Sequence, residues 1–127
     1  MEINTANDLY NVAKEICIGM TLTKGEIIGY PPLLRLPRVV CADGWSVSIQ
    51  AGTCFYSTPR SDFASNYAAF ELGYPSEREP LLDEWSEENR LDENAELDYT
   101  QSIYPFTPTE VVDAVLEKHG GIARLGK

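Results

Sequence analysis

Residues 39–60 set hydroxyl, amide and guanidinium groups at a spacing that could hold a small anion. Ser46, Ser48 and Gln50 alternate with Val47 and Ile49, so a strand here turns its polar side chains to one face. Ser57 and Arg60 follow, while Arg35 and Arg38 precede. A guanidinium presents a planar fork of donors to a phosphate, and Trp45, Tyr56, Tyr67 or Tyr74 could stack on a base. The ligand-binding set on this reading is Arg38, Ser48, Gln50, Tyr56 and Arg60. The plainer expectation for the same row is a sheet face turned to water.

A different chemistry is concentrated further along. Residues 76–98 contain ten acids against two bases, Arg78 and Arg90. Carboxylates at this density can face a basic groove much as a phosphate backbone does. The residues that would carry such an interaction are Glu77, Glu79, Asp83, Glu84, Glu87 and Glu88, with Trp85 as a buried anchor.

Catalytic and metal templates are missing from the sequence. His119 is the only histidine and falls in the last turn of an expected helix, where a capping or solvent-facing role is anticipated. Cys17, Cys41 and Cys54 are an odd number at unremarkable spacings and read as reduced thiols of a cytosolic protein. Cys54 has no neighbouring base to activate it. Asp92, Asn94 and Glu96 alternate as in a calcium loop, but Leu97 occupies the glycine position and Ile103 the final carboxylate position. No CxxC, HExxH, Gly-rich phosphate loop or GxSxG is present. The expectation is a non-enzyme without cofactor or metal.

Charge narrows the partners. The net charge of −10 comes wholly from the second half: residues 1–60 hold five acids and five bases, residues 61–127 fifteen acids and five bases. Such a field repels nucleic acid and attracts a basic protein surface. Neither a secretory leader nor an apolar stretch long enough to span a membrane is read in the sequence, so a cytoplasmic protein is expected. Self-association is left open.

The elements that must position these groups can be read in turn. At 127 residues a single domain is expected, with an acidic loop inserted at about 76–98. Thr5 or Asn7 caps a helix whose apolar positions are Leu9, Val12, Ala13, Ile16 and Met20. Prolines at 31, 32 and 37 exclude a continuous helix thereafter; a short helical turn at 23–28 and an extended segment anchored by Leu33, Leu34 and Leu36 are predicted. Asp43-Gly44 predicts a two-residue hairpin that sets Cys41 opposite Ser46 and Val40 opposite Val47. Residues 53–58 read as a third strand and 66–74 as a fourth, with Ala68, Phe70 and Leu72 on one side. Residues 98–106 read as an edge strand because of Pro105. Thr107 as N-cap, Pro108 and Glu110 form a capping box ahead of a helix with the stripe Val111, Val112, Val115 and Leu116, stopped by Gly120. The fold class is therefore α+β: a four- or five-stranded, mostly antiparallel sheet flanked by an N-terminal helix and a capped C-terminal helix.

The combination of CADGWSVSIQAG, YSTPR, FELGYPSEREPLL and YPFTPTEVVDAVLEKHGGI resembles the small proteins encoded by bacteriophages and prophages. The resemblance runs over about residues 30–122 and implies an anti-defence role in the cytoplasm of an infected bacterium. One form it implies is anti-CRISPR-like: stoichiometric binding of a host immune protein through an acidic surface. An alternative is a sponge that sequesters a nucleotide immune signal of the cyclic-nucleotide or cyclic ADP-ribose type. A minor virion or assembly protein is a further alternative.

Overall fold

The computed structural model describes residues 5–11, 36–61, 64–87 and 98–126. Among them the protein is α+β, with an N-terminal helix, a five-stranded antiparallel sheet and a C-terminal helix. The strands are β1 (Val39–Cys41), β2 (Ser46–Gln50), β3 (Ala69–Gly73), β4 (Ile103–Pro108) and β5 (Ile122–Leu125), in the spatial order β4-β3-β2-β1-β5. Helix α1 is described over residues 6–11 and α2 is Thr109–Lys118. The described residues between β3 and β4 include the 3-10 turns Pro80–Trp85 and Tyr99–Gln101.

The core follows the sequence pattern. Val47 and Ile49 from β2, Phe70 and Leu72 from β3 and Tyr104 from β4 meet Val112, Val115 and Leu116 of α2 and Leu9 of α1. Thr5 caps α1, its hydroxyl accepting the Asp8 N–H at 3.1 Å. Val12, Ala13, Ile16, Met20, Leu33, Leu34, the predicted turn at 23–28, Cys17, Glu88 and the first half of the calcium-like stretch, residues 92–97, lie outside the described residues. Pro105 sits in an edge strand as expected, since among the described strands β4 pairs with β3 alone.

Four local expectations are corrected. The β1–β2 hairpin pairs Val39 with Val47 and Val40 with Ser46, one residue out of the predicted register. Its loop is Ala42-Asp43-Gly44, closed by the Gly44 N–H donating to the Cys41 carbonyl at 3.0 Å. A two-residue type I′ turn needs positive φ at both central residues; here Gly44 has φ 94° while Asp43 does not take that conformation. Residues 53–58 form a looped excursion with one bridge, Thr58 to Ala69, rather than a third strand. Thr107 lies within β4 opposite Phe70, and its hydroxyl donates to the Tyr104 carbonyl, so no capping box forms and α2 starts from Pro108 without a side-chain cap. The fifth strand, β5, was not foreseen; it follows the turn at Gly120 and Gly121 and pairs with β1.

Candidate functional site

Helical periodicity sets His119 on the buried side of α2, since residues 112, 115, 116 and 119 recur at the spacing of one face. The turn that stops α2 then joins the β1–β2 hairpin. The Ala42 N–H donates to the Gly121 carbonyl at 3.0 Å and the Asp43 N–H to the His119 carbonyl at 3.2 Å. Gly120 has φ 91°, and a Cβ there would stand 2.9 Å from the Ala42 Cβ, so this junction requires glycine on two counts. Residues 76 and 77 close the third side. Ser76 and Ser46 exchange hydrogen bonds, and the Trp45 indole N–H donates to the Glu77 carbonyl at 2.9 Å.

At the meeting point His119 is clasped by carboxylates on both ring nitrogens. Nδ1 is 2.6 Å from Asp43 Oδ2 and Nε2 is 2.8 Å from Glu79 Oε1. Trp45 stacks on the imidazole, with centroids 4.4 Å apart and an interplanar angle of 11°. Glu79, only 1% exposed, also takes Lys118 Nζ at 2.8 Å and the Leu81 N–H at 2.9 Å. That last bond caps the 3-10 turn Pro80–Trp85, so one buried carboxylate ties this turn to the end of α2.

Burial pushes the Glu79 carboxyl up, but the bonds from Lys118, the Leu81 N–H and His119 outweigh it and hold the group below the ordinary range. Asp43 is also held low, first by the Trp45 N–H on Oδ1 and then by His119. Beside the clasp, a pocket of about 340 Å³ is lined by Asp43, Gly44, Trp45, Ser76, Glu77 and His119. The two clasping carboxylates approach opposite edges of the ring and do not converge on one point. Among the described residues no group of His, Cys, Asp and Glu side chains could hold a metal ion.

The structure divides the predicted acidic set. Glu77, Glu84 and Glu87 are exposed, and their carboxylates engage no other side chain among the described residues. Glu79 is interior, which corrects its place on a partner-binding surface. Asp83 forms a bidentate pair with Arg78, as close as 2.6 Å, and is also partly withdrawn. Trp85 is partly buried and packs against this chain's own core, and its indole N–H has no acceptor among the described residues. Leu81 is the exposed apolar side chain of the segment, at 45%.

The predicted ligand row is filled from within. Gln50 is buried; its amide donates to the Leu36 carbonyl at 2.9 Å and accepts the Leu36 N–H at 3.1 Å, an imitation of strand pairing. Ser48 accepts the second Gln50 N–H at 3.1 Å. Arg38 donates to the Ser46 hydroxyl and carbonyl and to the Tyr74 carbonyl. The row that was expected to face water or a ligand thus holds residues 36–38 against β2. Tyr56 and Arg60 do remain outside: the guanidinium lies 5.2 Å from the Tyr56 ring centroid, and Phe106 packs on the same ring. The five residues therefore do not come together as one site.

No known protein family, curated protein or solved structure matches this chain. What the site can do is therefore read from its own geometry. Sequence reasoning missed Asp43, named Trp45 only as a possible stacker on a base, and gave His119 a capping or solvent-facing role; His119 is the C-cap of α2, but its ring is turned inward. The 3.6-residue period of α2 was the available signal for His119. No helix among the described residues is long and apolar enough to cross a membrane.

Proposed function

We propose that the chain acts by stoichiometric binding, holding a basic surface of a host immune protein with the exposed carboxylates of residues 77–87. The observation that carries this reading is the division within that segment. Glu79 is locked inside by Lys118 and His119, while Glu77, Glu84 and Glu87 are left facing solvent on a backbone that Glu79 braces. A braced segment loses less conformational entropy on binding than a floppy one. Leu81 adds an apolar contact among the charges, and the pocket beside Glu77 and Asp43 offers a seat for a cationic side chain. Both imidazole nitrogens are already occupied by carboxylates, which favours a binding role over a general acid or base. The anti-defence role, and the cytoplasm of an infected bacterium as its setting, rest on the resemblance to small phage proteins.

The test is a plaque assay on bacteria that carry a CRISPR defence and express the chain. The wild-type chain is expected to restore infection. The variant E77K/E84K/E87K is expected to lose that effect while its Tm stays within about 2 °C of the wild type. Full restoration by the reversed variant would count against the acidic surface.

A further inference from the structure

A neutral imidazole has one N–H and one lone pair, whereas the charged ring donates from both nitrogens. In the clasp both nitrogens face carboxylate oxygens, so the charged ring satisfies both contacts. After loss of one proton a lone pair faces an anion, and one of the contacts must open. The two carboxylates are not equivalent in this respect. Glu79 is buried beyond the reach of water and is tied in place by Lys118 and the Leu81 N–H. The Asp43 side chain is 48% exposed and keeps the Trp45 N–H on its other oxygen. Water can replace the ring at Asp43 but not at Glu79.

We propose that His119 is a proton-controlled mask over Asp43. With both nitrogens protonated, the ring neutralises Asp43. When Nδ1 releases its proton to solvent, the ring stays on Glu79 through Nε2–H, and Asp43 becomes a free carboxylate beside Glu77. The pocket then attracts an ammonium or guanidinium group more strongly. The groups facing the ring among the described residues are Asp43 from the hairpin, Glu79 from the segment ahead of the 3-10 turn, Lys118 through Glu79, and the stacked Trp45; Glu77 lines the same pocket. The consequence for a cationic partner rests on the binding function proposed above. The mask itself does not.

Two measurements separate these levels. Nitrogen-detected NMR of His119 in the wild-type chain should be followed from acid to alkaline pH. Both ring nitrogens are expected to be protonated at the acid end and Nε2 alone at the basic end. A neutral ring that keeps its proton on Nδ1, or a ring protonated on both nitrogens throughout, overturns the mask. In parallel, calorimetric titration with an octa-arginine peptide at fixed ionic strength should show affinity rising about fivefold over the same range, the effect of one uncovered charge at contact distance in water. D43N and H119Q should each flatten that rise, and an undiminished rise in D43N overturns the proposal. If octa-arginine binds at no pH while the nitrogen titration behaves as expected, the mask stands and the acidic-surface function fails.

Discussion

Glu77 and Glu79 are near neighbours of the same residue type, yet the fold gives them opposite tasks. Glu79 points inward, where Lys118, His119 and the Leu81 N–H surround its carboxylate. Glu77 is exposed and lines a pocket, and among the described residues its backbone carbonyl accepts the Trp45 indole N–H while its carboxylate engages no side chain. Asp83 lies between these extremes, paired with Arg78 at the surface. The contrast teaches that the acidity of a segment and the acidity of a surface are separate quantities. A buried carboxylate is tolerated only where donors replace the water it lost, and each donor spent on it withdraws one charge from the outside.

The contrast can be broken most severely at its inner end. Glu79→Ala removes the carboxylate that joins α2, the 3-10 turn and the imidazole. Urea unfolding is expected to show a loss of about 3 kcal/mol, near the low end for breaking a buried pair because Lys118 is half exposed and can rehydrate. A loss below about 1 kcal/mol would mean that Glu79 does not brace the segment. Gly120→Ala attacks the same junction from the backbone. The positive φ and the approach to Ala42 together should cost about 1–3 kcal/mol, read by the same titration.

A pH series sharpens the comparison. The Glu79 carboxyl is held below its ordinary value of 4.5, so its contribution is present above that value and is lost as pH falls through the lower folded value. The stability difference between wild type and Glu79→Gln should therefore be full near neutrality and shrink in acid. A difference that stayed constant to the acid limit would contradict the lowered value. At the surface the effects become small. Asp83→Asn should move Tm by a few degrees at most, because an exposed ion pair contributes little. Glu77→Gln should leave Tm essentially unchanged in differential scanning calorimetry, and a clear drop would place Glu77 in the brace.

Much of the fold was legible because it rests on short-range rules. The Asp-Gly turn marked the hairpin, although the number of loop residues depended on whether Asp43 took positive φ. Pro105 marked an edge strand, and the apolar stripe of α2 marked a helix packed on the sheet. The capping box failed because Thr107 had a stronger use in β4, where its side chain is buried and hydrogen-bonded to the Tyr104 carbonyl. The ligand row failed for a similar reason. Alternating Ser46, Ser48 and Gln50 correctly implied a strand, but not that residues 36–38 would cover its polar face.

Taken by itself, the sequence determined the α+β class, the places of the hairpin, the edge strand and α2, and the gathering of negative charge in the second half. All of these follow from propensity, period and composition, which act over a few residues. The tertiary structure alone decided which carboxylates face water and what the lone histidine touches. His119 meets Asp43 across 76 positions of sequence and Glu79 across 40. Contacts of that span are set by how strands and turns stack, and the identity of a side chain says only that it needs a partner, not where the chain will bring one.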